Sequence, residues 1–358
     1  MRVVVAMSGG VDSAVAAALM ADAGHDVVAV SMQLYDQRPR EDGSPAFGSC
    51  CSLDDLHDAR RAAGALGVPH YIMNFERQFD ALVVDRFVAD YTSGRTPIPC
   101  TRCNSDLKFA TLLDRATALE AEALATGHYA RVGYDEDRRR YVLRRGVDAR
   151  RDQSYFLFAL TQAQLAKARF PVGDLAKADV RDYARRRGLP VADKPDSRDI
   201  CFVPDGDYAG FIERRDAAAR DTGGAVVDLA GNEVGRHAGV HRFTVGQRKG
   251  LGLAAPAPLY VVALDAEGRR VTVGPKAALE RTELEAGEVS WIAGDPPAEP
   301  RRAAAQIRYQ HLAAAGTLTA LAGARARFVF DDPQPAIAPG QAAVFYDGDE
   351  VIGGGWIA

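Results

Sequence analysis

Two short runs, 2–7 (Arg-Val-Val-Val-Ala-Met) and 27–32 (Val-Val-Ala-Val-Ser-Met), carry almost no polar positions. Continuous β-branched runs of this length read as strands buried on both faces of a parallel sheet. Between them Ala14–Ala23 reads as a helix stopped by Gly24. A second helix is predicted over Leu53–Leu66, capped by Ser52 and ended by Gly67. The expected series continues with a strand over Pro69–Asn74 and helical periodicity over Phe75–Tyr91. A helix capped by Asn104 or Ser105 should then run to about Leu119, followed by a strand over Ala123–Gly127. Alternation of this kind predicts a doubly wound α/β domain, with ligands at the carboxyl ends of the strands.

Polar and apolar positions then regroup. Residues 131–145 read as a hairpin turning at Tyr134–Asp137, followed by helices capped near Asp152 and Thr161 and a third over Ala178–Arg187. After Arg215 glycine becomes frequent and helical periodicity fades. Gly223–Gly274 reads as a small mixed domain. From Thr282 onward short segments separated by Gly, Pro and Asp turns (Ile307–Gln310, Arg325–Phe330, Ala342–Tyr346, Val351–Gly354) predict a β-barrel or sandwich. The Ala-rich stretches 303–305 and 313–315 read as compositional bias. The expected division is 1–215, 216–278 and 279–358, consistent with two or three domains in 358 residues.

Composition narrows the classes. Forty-four basic against 48 acidic residues give a net charge of −4, which argues against coating nucleic acid by bulk charge. It leaves room for local basic faces such as Arg138-Arg139-Arg140 and Arg185-Arg186-Arg187. The chain opens directly in a strand pattern and no apolar run reaches membrane-spanning length, so a cytoplasmic protein without a membrane partner is expected. Five cysteines (Cys50, Cys51, Cys100, Cys103, Cys201) are too few and too odd in number for a disulfide framework.

Candidate chemistry concentrates at two places. Ser8-Gly-Gly-Val-Asp-Ser13 joins the first strand to the first helix. Gly9 and Gly10 lack the Cβ atoms that would keep a phosphate off the backbone, Ser8 and Ser13 supply hydroxyls, and the helix N-terminus favours an anion. The Gly-Lys-Ser/Thr ending of the commoner nucleotide loop is missing. Cys100-Thr-Arg-Cys103 follows Pro97 and Pro99 and precedes a predicted helix. That position places Cys103 near a helix N-terminus, where its pKa should fall. Two buried structural cysteines or half a zinc site are the other readings of this pair. Cys201 reads as a core residue by itself, although Lys194 and Arg198 offer it electropositive surroundings. Cys50-Cys51 reads as mainly structural.

The loop resembles the PP-loop of ATP pyrophosphatases. Taken with Gly94-Arg-Thr-Pro97, Cys103-Asn104, Lys108-Phe109, Ala125–Arg131, Asp152–Leu157, Asp196–Phe202, Phe243–Gly250, Ile307–Tyr309 and Pro339-Gly-Gln341, it makes nearly the whole chain similar to the tRNA-specific 2-thiouridylase family. The resemblance implies ATP-dependent replacement of the 2-oxygen of a wobble uridine by sulfur. Adenylation turns a very poor leaving group into a phosphate monoester. Sulfur arrives as a persulfide, and a disulfide remains to be reduced. By position it implies Cys103 as nucleophile and Cys201 as persulfide carrier, paired transiently with Cys103. ATP would be held by Ala6, Met7, Ser8, Gly9, Gly10, Val11, Asp12, Ser13, Met32 and Gly127, with Mg²⁺ accompanying it. The target base would meet Ile98, Pro99 and Cys100, and tRNA would meet His128, Arg151, Asp152, Gln153, Arg308, Tyr309 and Gln341. His128 also reads as an ordinary structural histidine. Partners implied are tRNA, a persulfide donor (a cysteine desulfurase or relay protein) and a thiol reductant.

One departure stands out. Some family members carry Asp three positions before the nucleophile, as an acid/base group. Here Cys100 occupies that position, leaving Asp12, Asp106 or a water for the role. Cys100, Cys103 and Cys201 could alternatively hold an iron–sulfur cluster. Rival functions are a PP-loop ligase adenylating a small molecule, which would not need Cys103 and Cys201, and a nucleotide-gated RNA-binding protein without catalysis.

Overall fold

A computed structural model describes residues 1–35, 53–196, 200–203 and 206–358. Cys50-Cys51, the Ser52 cap and Arg198 lie outside the described residues.

The first run forms β1 (Arg2–Ala6), followed by α1 (Val11–Asp22) and β2 (Asp26–Gln33). Next come α2 (Leu53–Leu66), β3 (His70–Asn74), β4 (Ala123–Thr126), the hairpin β5 (Ala130–Asp135) and β6 (Arg140–Arg145), and a two-residue strand β7 (Ala168–Arg169). Strands β3-β2-β1-β4-β7 make a five-stranded sheet, parallel at every pairing. Val3 and Val5 enter one core with α1, α2 and Val180, while Val4 enters the other with Phe79, Phe87, Leu107 and Phe109. The period of two along β1 thus buries both faces, as the unbroken Val run required.

Two helical runs depart from regular α geometry. Residues 76–92 contain a π stretch at Asp80–Val84, and residues 99–118 contain one at Cys103–Leu112. The second run starts at Pro99, four residues before Cys103, instead of at Asn104 or Ser105. Proline at the first helical position loses no bond, since that N–H has no partner in the helix anyway. The Thr161 cap is a full capping box with Gln164, opening Gln162–Lys167. Near Asp152 there is only a single 3₁₀ turn, Ser154–Phe156.

Residues 224–274 form a four-stranded sheet ordered Tyr260–Asp265, Arg270–Gly274, Gly224–Val227, Glu233–His237. The last region is a closed antiparallel barrel of six strands: Glu280–Trp291, Arg325–Pro335, Ala314–Leu321, Arg301–Gln306, Ala342–Asp347 and Glu350–Ile357. The Ala-rich stretches are strands here, not mere bias: Ala304 pairs Ala315 and Ala305 pairs Ala314. Residues 307–310, read as a strand, form instead the loop that leaves Arg301–Gln306.

The hairpin fuses the first and last regions. Glu350 pairs Arg144, which extends the barrel sheet through β6 to β5. The core that contains Val4 and Phe109 continues through Leu143 and Tyr155 to Ala342, Val344 and Tyr346 of the barrel.

Candidate active site

The loop after β1 is tightly built. Gly9 has φ +77°, and a Cβ there would stand 2.2 Å from the carbonyl oxygen of Asp55. Gly127, at the end of β4, lies against the loop so closely that a Cβ would be 2.6 Å from Ser13 N. The Ser13 hydroxyl donates to Gly10 O (3.0 Å) and accepts from Ser8 N (3.2 Å), so the loop is folded on its own polar groups. Ser31 Oγ donates to Met7 O at 2.8 Å, fixing the end of β1 against β2. Ala6, Val11 and Met32 complete this neighbourhood, with Val11 and Met32 buried.

Asp12, in the first turn of α1, anchors a chain of charges absent from the sequence reading. Lys177 Nζ donates to both Asp12 oxygens (2.7 and 2.8 Å), and Tyr129 Oη donates to Oδ1 (2.7 Å). The same ammonium is 2.9 Å from Asp196, which also holds Arg181 (3.0 Å) and Arg151 (2.8 Å). Burial raises the Asp196 pKa, but Lys177, Arg151 and Arg181 outweigh it and leave the carboxyl below its ordinary value. Lys194 is not available to polarise Cys201: it lies 2.6 Å from both Asp55 and Asp58.

Cys103 is half-buried within the helical run instead of at its start. Burial pushes its thiol pKa up; Lys108 pulls it down and Asp106 up, with burial prevailing. The lowered pKa expected from a helix N-terminus is therefore overturned. Lys108 also donates to Asn104 Oδ1 at 3.0 Å. His128, stacked edge-on against Phe170 and bonded through Nδ1 to Thr126 Oγ1 (2.7 Å), is kept neutral by burial and by Lys108. Cys100 is exposed, and Ile98 and Pro99 are buried. Cys103 and Cys201 both pack on the edge of the large core. Among the described residues no group of three or more His, Cys, Asp or Glu side chains is placed to hold a metal ion.

The barrel reaches the cysteine helix. Tyr309 packs on Phe156 (4.6 Å between centroids), and its pKa is raised by burial, opposed by Arg151 and reinforced by Asp152 and Cys100. These groups therefore share one electrostatic neighbourhood. Gln341 Nε2 donates to Thr96 O (3.0 Å), Thr96 N donates to Pro339 O (2.8 Å), and Arg95 donates to Ile357 O (3.0 Å). The Gly94–Pro97 and Pro339–Gln341 segments, far apart in sequence, thus form one latch ahead of Cys100. Arg308 donates to Pro335 O (3.2 Å). Asp152 is buried and receives Arg145, Gly146 N and Ser154, while Gln153 accepts from Tyr129 N, so both side chains are engaged inside the protein.

Family models match in the same order as the three sheets. A tRNA methyl transferase HUP domain covers residues 1–205, a tRNA methyl transferase PRC-barrel domain 211–275, and an aminomethyltransferase β-barrel domain 281–357. The chain is 52% identical over 357 residues to the tRNA-specific 2-thiouridylase MnmA of Geobacter metallireducens, covering 99% of this chain and 96% of that protein. It is 50% identical over 365 residues to the protein of the same name from Solibacter usitatus, covering 99% and 98%. No helix among the described residues is long and apolar enough to cross a membrane. With the HUP domain model matching residues 1–205 and relatives at about half identity covering 99% of the chain, the chain belongs to the tRNA-specific 2-thiouridylase family.

Proposed function

We propose that the chain is a sulfurtransferase that converts a wobble uridine of tRNA to 2-thiouridine at the expense of ATP. The observation that carries this reading is the end-to-end match, at about half identity, to relatives named tRNA-specific 2-thiouridylase. The loop geometry supports it: Gly9 and Gly127 let neighbouring backbone close tightly around a loop that leads into the N-terminus of α1, where unpaired N–H groups favour an anion. In this reading Ala6–Ser13, Met32 and Gly127 hold ATP with its Mg²⁺. Residues 1–215 bind ATP and carry the thiols, and 279–358 contact tRNA through Arg308, Tyr309 and Gln341. Arg151 and His128 contact tRNA from the first domain.

The uridine 2-oxygen attacks the α-phosphorus and pyrophosphate leaves. Cys201 bears a persulfide delivered by a cysteine desulfurase or relay protein. Its terminal sulfur attacks C2, and AMP departs with the oxygen. The Cys103 thiolate then attacks the Cys201 sulfur, which breaks the S–S bond, leaves sulfur on the base and forms a Cys103–Cys201 disulfide. Alternatively Cys103 releases the sulfur first as hydrosulfide, which then attacks C2. A dithiol reductant restores both thiols in either order. The bond requires the two Cα atoms to come within roughly 4.4–6.8 Å. With Cys100 where some family members carry Asp, and Asp12 committed to Lys177 and Tyr129, a water or Asp106 moves the proton.

Incubation with ATP, Mg²⁺, a persulfide source and unmodified tRNA, followed by mass analysis of the nucleosides, tests this. The expected product is 2-thiouridine with AMP and pyrophosphate. Its absence under conditions that charge Cys201 with persulfide would end the reading.

A further inference from the structure

We infer that Lys177 and Asp196 are positioning residues that couple nucleotide binding to tRNA binding. The inference rests on the reading above, in which ATP occupies the loop at Asp12 and tRNA meets Arg151. The charge chain runs Asp12–Lys177–Asp196–Arg151, with links of 2.7, 2.9 and 2.8 Å. Its middle is buried and its far end is open: the Lys177 side chain is 10% exposed and that of Arg151 45%. Two carboxylates face three cations: Lys177 is shared between Asp12 and Asp196, and Asp196 also holds Arg151 and Arg181, so drawing one cation off Asp196 strengthens the bonds it keeps.

That sharing fixes the sign. A nucleotide arrives with a divalent cation, which competes with the Lys177 ammonium for the Asp12 oxygens. Lys177, released from Asp12, gives its full charge to Asp196. A better-neutralised Asp196 holds Arg151 less firmly, and Arg151 becomes available to a tRNA phosphate. Read in reverse, a phosphate that takes Arg151 leaves Asp196 to pull Lys177 off Asp12, opening Asp12 to the metal–nucleotide. Reciprocity of this kind is required of any binding coupling. A purely structural ion pair would support both sites without linking them.

The test measures tRNA affinity with and without α,β-methylene ATP and Mg²⁺, and the affinity for the analogue with and without tRNA. The wild-type protein should bind tRNA about fivefold or more tightly with the analogue present, with an equal factor in the reverse direction. Omitting Mg²⁺ should remove the factor. Lys177→Met should bring it to about one, and Asp196→Asn, which keeps the side-chain shape, should do the same if the Lys177 variant does not fold. Both ligands binding the wild type with no mutual effect, or Asp196→Asn retaining the full factor, overturns the relay alone. Failure of the wild type to bind the analogue at all would instead bring down the nucleotide reading beneath it.

Discussion

The glycine loop after β1 and the cysteine helix stand on the same domain but are prepared very differently. Around the loop, both Ser13 and Asp12 already have partners, and two glycines meet neighbouring backbone with no room for a methyl group. The cysteine helix draws on distant segments: Cys103 on a π-wound stretch, Tyr309 on a barrel loop, Cys201 on a segment between, and a half-buried Cys103 thiol held toward its protonated form. One half is pre-organised and the other depends on contacts between distant segments. Pre-organisation suits a ligand of fixed shape, because ordering costs are met in advance by folding.

The sharpest separation of the two halves comes from removing sulfur. Cys103→Ser and Cys201→Ser should each lower thiolation by at least about a thousandfold, since in the proposed route each removes a reacting atom. Affinity for an ATP analogue should stay unchanged in calorimetry. Gly9→Ala does the converse. The φ of +77° and the 2.2 Å approach to Asp55 O leave no relief. Left-handed strain and overpacking together should cost about 3 kcal/mol in urea unfolding and lower analogue affinity, with Cys103 alkylation unaltered.

Gly340→Ala attacks the latch. At φ +86°, with a Cβ 2.8 Å from Thr96 N, it should cost about 2 kcal/mol, lower thiolation and speed Cys103 alkylation while leaving the nucleotide loop intact. The smallest effect is the pH profile. Burial raises the Cys103 pKa, so alkylation should rise only above the ordinary cysteine midpoint of about 8.5. Lys108→Met should move it further up. The sign for stability follows: the protonated thiol costs the fold nothing below the unfolded-chain pKa, and stability falls as pH climbs from there toward the folded value.

The loop was legible because its chemistry is local: strand, glycines, hydroxyls and helix fall within a dozen residues. The parallel strands β1 and β2 were legible because their pattern allows only burial. Ala303–Ala305 and Ala313–Ala315 were not, because alanine has little strand preference and only their mutual pairing makes them a ladder. The helix start at Pro99 was signalled by the proline itself, but two nearby prolines also read as an extended spacer. The π stretch from Cys103 escapes any search for a 3.6-residue period. The Lys177 bond to Asp12 spans 165 positions, and no local pattern announces it.

The bridge joining Arg144 to Glu350 sets the hairpin of the first domain against the outside of the barrel. Arg138 and Arg131 rivet that seam to Glu350 and Asp349. The first and last regions are thus stitched together across more than two hundred positions of chain. Heating should melt the first and last regions in a single transition, and tension applied across them should load this seam before any linker yields.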